Sequence, residues 1–317
     1  MSTVSIPAIG MRVKGRYQVQ RIKANNGQII QSSPWTNNLI TDAGKRVYIS
    51  SARNIPLTLA VGTGNSAPHA SNLALDNAIY RTSAAGSEAL PSVFTEDGGT
   101  LKSLYRFRFY PGQATGNISE LGIYLGLPGY PDFTLFSRAL VRDSHGNPTT
   151  ITVLSDEYLD VYWEITLEVA GRTTGTFPLY NKDGTTNTLD WVMKPAAAHW
   201  WSVRHDSNYL AQPQISPYGY YTCLSNSITT EPGYNDEDPP GMTGWHAPNN
   251  GAALPYVDGS YYRDYEYTWL LDRANVSGIN CFRLYIGPGH LWIYLPNHSI
   301  DKTHMDTLTI RFRLSIA

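Results

Sequence analysis

Apolar and polar positions alternate along most of this chain, and the alternation is sharpest in "LDVYWEITLEV". There Leu159, Val161, Trp163, Ile165, Leu167 and Val169 recur at period two. Such spacing predicts an antiparallel strand with one wet face, leaving Asp160, Glu164 and the other even positions toward water. "RYQVQRIKA" and "QIIQSSPW" predict a hairpin over Met11 to Trp35, turning at Asn25-Asn26-Gly27, where positive φ is cheap. In "NLITDAGKRVYISSA" the period changes. Thr41 or Asp42 can cap a short helix, near residues 41–50, that brings Val47 and Tyr48 to the core. "PLTLAVGTG" returns to strand with Leu57, Leu59 and Val61 on one face. A polar stretch from Asn65 to Gly99, broken by "NAIYRTS", is expected on the surface. "LYRFRFY" and "ISELGIYLG" are the next strands, and "FTLFSRALVRDSHGNPTTITVL" reads as a hairpin turning at His145-Gly146-Asn147.

The same order is written twice. Ile118, Leu121, Ile123, Tyr124 and Gly126 match Ile279, Phe282, Leu284, Tyr285 and Gly287 at one offset, 279 − 118 = 161. Tyr105, Phe107 and Phe109 match Tyr265, Tyr267 and Trp269. The closing strand beginning at Leu308 matches that beginning at Leu159, at 308 − 159 = 149. The second copy is therefore shorter by 161 − 149 = 12 residues, about the size of the turn around His145. Three strands repeated in order predict an internal duplication. The expected fold class is all-β: two related antiparallel β-sandwich domains, 1–172 and 173–317, joined near "AGRTTGTF". The second carries a long Pro-, Gly- and aromatic-rich loop over 230–263 with no counterpart in the first.

Composition supports strands over helices. Charged residues are 16% of the chain against a typical ~25%, and Tyr, Gly, Pro, Ser, Thr and Asn fill the difference. A net charge of −2 gives no electrostatic footprint for nucleic acid. Cys223 and Cys281 make neither a disulfide framework nor a metal site; one bridge or two buried thiols are both open. The start "MSTVSIPAIGMRVKG" does not read as a signal peptide, and no apolar run approaches the ~18 residues of a membrane span. Synthesis in a cytoplasm, without membrane insertion, is the expectation.

Candidate chemistry is sparse. "VGTGNSA" carries the letters of a dinucleotide fingerprint, but Pro68 follows and no helix opens there, so a turn is the better reading. His199 and His205 are six residues apart, roughly 20 Å along a strand, which disfavours a shared metal. Asp236, Glu237 and Asp238 could offer oxygens to calcium, or form a solvated acidic loop. Asp156, Glu157, Asp160 and Glu164 crowd one strand without the opposed pair a glycosidase needs. No catalytic, metal or cofactor site is predicted. What remains is a set of aromatics in the long loop, Tyr234, Trp245, Tyr256, Tyr261 and Tyr262. These are candidate contacts for a sugar or protein partner, or a satellite cluster beneath the loop.

Five motifs in order resemble the bacteriophage tail-fibre and baseplate-associated tail protein family. They are "NNLITDAG" (Asn37 to Gly44), "LAVGTGNSAPHASNLALDNAIYRTS" (Leu59 to Ser83), "ISELGIYLG" (Ile118 to Gly126), "LFSRALVRD" (Leu135 to Asp143) and "ITVLSDEYLDVYWEITL" (Ile151 to Leu167). "ANVSGINCFRLYIG" and "KTHMDTLTIRFRLSIA" resemble closing segments of phage tail proteins. The resemblance implies a non-enzymatic virion protein of the tail, without cofactor, that binds other phage tail subunits as a homo-oligomer, a trimer by analogy. The chain lacks the long glycine-rich or coiled-coil shaft of a fibre, which favours a compact baseplate or tail-tip position. Two other classes stay in view: an adhesin gripping host surface glycan or pilus through the aromatic loop, and a polysaccharide-modifying enzyme.

Overall fold

A computed structural model describes every residue except 1, 7, 51–55, 130–132, 198–222, 234–240, 243, 245 and 286–288. The chain is nearly all β. Its first half contains β1 (Ser2–Ser5), β2 (Ile9–Lys23), β3 (Ile29–Ser32), β4 (Thr36–Ile40), α1 (Asp42–Ser50) and β5 (Leu57–Gly62). It continues through β6 (Ala78–Thr95), β7 (Gly98–Phe109), β8 (Gly116–Ile118), β9 (Glu120–Leu125), β10 (Thr134–Leu140), β11 (Ile151–Val153) and β12 (Glu157–Ala170). After Gly171 and Arg172 come β13 (Thr173–Tyr180), β14 (Thr186–Ala197), β15 (Cys223–Asn226), β16 (Asn250–Ala253), β17 (Tyr262–Trp269), β18 (Ile279–Tyr285), β19 (Gly289–Tyr294) and β20 (Leu308–Ile316).

The first half is a closed barrel. Hydrogen-bonded neighbours run β2–β12–β7–β6–β5–β9–β10–β4 and back to β2, every pair antiparallel. Eight strands give an interior that side chains can just fill. Here the inward face of β12 supplies Leu159, Val161, Trp163, Ile165, Leu167 and Val169, all buried as the period-two pattern predicts. Trp163 meets Tyr105 at 5.6 Å between ring centroids and Phe136 edge-on at 5.8 Å. Between Tyr17, Leu59, Ile123, Val161 and Trp163 a void of about 10 Å³ remains, room for roughly one water.

Two related sandwiches were the sequence expectation, and the pairing corrects it. A sandwich leaves sheet edges, whereas the outer strands of the first half find each other and close. The halves are not separate either. β1 pairs antiparallel with β13 and parallel with β20, and the start of β2 runs parallel to the end of β20, Ile9 opposite Leu314. A single buried apolar cluster extends from Val4 to Ile316.

Within this shared sheet the duplicated order is visible in the register. Tyr105, Phe107 and Phe109 lie opposite Trp163, Val161 and Leu159; Tyr265, Tyr267 and Trp269 lie opposite Phe312, Ile310 and Leu308. Ile118 faces Ile151, and Ile279 faces Ile300, which keeps the offset of 149. The C-terminal sequence of neighbours is β13–β14–β19–β18–β15, then an isolated bridge from Leu224 to His246 just before β16, then β16–β17–β20. Each has a barrel counterpart in the same position, and β1 alone is inserted, between β13 and β20.

The twelve missing residues do not all come from the His145 turn, as expected. Leu135 faces Tyr124 while His290 faces Tyr285, an offset of 155; Ser137 and Leu291 give 154. Six residues are lost between β9 and β10, one at the β10 bulge and five around the turn. That turn forms, with Asp143 accepting the N–H groups of His145 and Asn147 and Gly146 at positive φ. Beside the turn its arms make a short hairpin, with Arg142 opposite Pro148 and the Thr149 N–H donating to the Val141 carbonyl; farther out they part, β10 pairing with β9 and β4, and β11 with β8.

α1 forms where the period changed. The N–H of Gly44 donates to the Thr41 hydroxyl at 3.0 Å, so Thr41 is the cap. Tyr48 is buried against Phe136, with 5.6 Å between ring centroids. Gly44 lets the helix approach β10 closely: a Cβ there would lie 2.5 Å from the Phe136 Cα.

Candidate interaction surfaces

Along β12 the charged groups of the barrel's outer face are tied to those of its neighbours. β12 presents carboxylates between two basic strands, so Glu168, Glu164 and Asp160 meet Lys14 at 2.5 Å, Arg16 at 2.7 Å and Arg108 at 2.6 Å. Asp160 and Glu164 were expected toward water; both are buried, covered by the long arginine side chains laid across them. Glu157 at the strand's start is gripped by Arg21 at 2.8 Å. Burial pushes its carboxyl up, but the Leu154 N–H and the Arg21 guanidinium outweigh this and hold it below the ordinary range.

"VGTGNSA" turns out to begin a lid. Residues 63–77 fold over the outside of β9 and β10, around the fully buried pair Glu120 and Arg138, 3.0 Å apart. Glu120 accepts the N–H groups of Gly64, Asp76 and Asn77. Arg138 donates to Asn72 and Ser66 and reaches Asp76 at 2.7 Å. Gly62 and Gly64 are required by this approach: a Cβ on Gly64 would sit 2.3 Å from the Glu120 carboxylate. The glycines thus serve an internal anion, and no helix opens there. Asp76 is held below the usual carboxylate range by the Ser66 hydroxyl, then by the Ser66 N–H and Arg138.

On the corresponding face of the C-terminal half, Ile228 and Met242 pack with Ala196, Cys281, Trp292 and Tyr294. Glu231 joins Arg172 at 2.8 Å and Lys194 at 2.9 Å, and these cations, Arg172 first, keep its carboxyl below the ordinary range. The register sets Cys281 opposite Ser225 and Cys223 opposite Arg283.

Of the five candidate aromatics, Tyr234 and Trp245 lie outside the described residues, as do Asp236, Glu237, Asp238, His199 and His205. Tyr256 and Tyr261 are half-buried against the core. The Tyr256 hydroxyl donates to the Ser260 carbonyl. Tyr261 receives a hydrogen bond from Arg46 of α1 at 3.1 Å, with the guanidinium over its ring. Tyr262 opens β17 and lies beneath the Arg313 guanidinium, 3.6 Å from the ring centroid. These three stand close along the chain, and each engages a group of the protein itself.

No family model matches the chain, no curated protein matches it, and no solved structure matches it.

Two open grooves lie at the junction of the halves. One of about 570 Å³ is lined by the start of β2, the β6–β7 turn and the end of β12. The other, of about 450 Å³, is lined by Ser5, Ile6, Ala8, Leu254, Asp264, Tyr265 and the Arg311–Arg313 stretch. Among the described residues no three His, Cys, Asp or Glu side chains are grouped to hold a metal, and no helix is long and apolar enough to cross a membrane. Sequence reasoning missed the Glu120–Arg138 pair. Its signal was a lone acid and a lone base inside two successive apolar strands, "ELGIYL" and "TLFSRAL".

Proposed function

We propose that this chain is a structural component of a bacteriophage tail, in a fibre, tail tip or baseplate, that assembles through its β structure and contributes to host attachment. One observation carries the reading: the five motifs resembling that family are not scattered. They fall on β4 with the start of α1, on β5 with its lid and β6, on β8 and β9, on β10, and on β11 and β12. Together these supply six of the eight barrel strands. A barrel whose interior is packed with side chains, with Asp160, Glu164 and Glu168 on its outer face held by cations, supports scaffolding in preference to turnover.

The reading assigns no catalytic residue, cofactor or metal. It places a homo-oligomer, a trimer by analogy, among other tail subunits in the virion. Imaging of the phage particle tests it: density fitting this barrel, present in symmetric multiples at the tail, is the expected result. Recovery of the chain only as a free intracellular monomer would overturn it. Attachment is tested separately on the aromatic segment. Replacing Trp245 and Tyr256 by Ala is expected to abolish adsorption of intact particles, and unchanged adsorption removes that role.

A further inference from the structure

The two related halves differ at one joint. In the N-terminal barrel β2 and β12 pair directly, from Lys23 opposite Glu157 to Met11 opposite Val169. Their counterparts β13 and β20 are held one strand apart, and β1 fills the slot. Thr3 faces Tyr180 and Val4 faces Leu179 on one side, while Ser2 to Ser5 face Leu308 to Arg311 on the other. Val4 is wholly buried there and Ile6 nearly so. A strand that belongs by sequence to the first half therefore completes the second.

This contact joins two related units by unlike surfaces. Made between chains instead of within one, such a heterologous contact propagates head to tail and closes into a ring when the rotation allows. The backbone bonds and the burial of Val4 and Ile6 are the same whether β1 comes from its own chain or a neighbour. Exchange then costs no contact, and local concentration decides between the two. The crossing point is open. β20 leaves β1 after Arg311 and meets β2 only at Leu314, and the groove of about 450 Å³ lined by Ile6, Ala8 and Phe312 lies at that gap.

We propose that β1 is exchanged between neighbouring copies of this chain, the slot between β13 and β20 of one copy taking Ser2–Ser5 of the next. The inference applies to any oligomer of the chain, whichever particle contains it, so it stands or falls apart from the tail reading.

The test uses full-length chains carrying Thr3→Cys alone or Tyr180→Cys alone, co-expressed and then oxidised, with disulfides mapped by mass spectrometry. Thr3 is half-buried and Tyr180 exposed, and a β-type circular dichroism spectrum like the parent's qualifies each variant. The expected result is an interchain disulfide between the T3C chain and the Y180C chain at the two substituted positions, strongly reduced when Val4→Asp is added to the T3C chain. An intrachain link in the T3C/Y180C double variant with no interchain link in the mixture overturns the proposal. Absence of linkage in both preparations overturns it equally.

Discussion

At the scale of single residues, stability concentrates where charge is buried. Glu120 and Arg138 are both fully enclosed, and the carboxylate holds three backbone N–H groups of the lid. Removing one partner leaves the other charged and unpaired. Glu120→Ala should therefore cost about 3–5 kcal/mol in urea unfolding. Gly64→Ala is smaller in chemistry but blocked by the same carboxylate, and overpacking of this kind is expected to cost about 1–3 kcal/mol. If G64A unfolds at the parent's midpoint, the lid does not depend on that close approach. Trp163 offers the apolar comparison: W163A empties the barrel's centre and should cost about 3–5 kcal/mol.

Elements were legible wherever one face of a strand is dry. The six inward residues of β12 and the aromatic trio of β7 could be read directly, because burial imposes period two. β6 escaped for an identifiable reason. Against β7 its register slips first between Ala84 and Gly86 and second between Leu90 and Val93, with another slip against β5 between Ala78 and Tyr80, so its faces exchange repeatedly and no alternation survives in "AIYRTSAAGSEALPSVFT". Pro91 lies within the second slip, where a missing N–H is tolerated. Asp160 and Glu164 misled for another reason: the arginines that cover them come from β2 and β7, distant in sequence. Helix α1 was legible from its cap, and Thr41→Ala should lower stability by about 1 kcal/mol, read as a shift in the urea midpoint. Of the candidate aromatic contacts, composition showed their crowding but not that Arg46 and Arg313 lie against Tyr261 and Tyr262.

For the whole molecule, duplication was readable and closure was not. Matching strands can be recognised pair by pair, but whether outer strands meet depends on twist and stagger summed around the sheet. The electrostatics also act collectively. Asp76, Glu157, Glu231, Asp301 and Asp306 are all held below ordinary carboxylate values. A depressed folded value means the unfolded chain binds protons first, so stability is fully present above the unfolded values and lost as pH falls through the folded ones. Thermal unfolding should thus vary little with these groups above about pH 5 and drop steeply below about pH 4. A melting temperature unchanged down to about pH 2.5 would contradict this.

The filled barrel has one further consequence. Trp163, Tyr105 and Phe136 pack together across its interior, so side chains occupy the barrel's axis. If copies of this chain encircle a conduit, its bore lies between them, and its width is governed by how many stand in the circle.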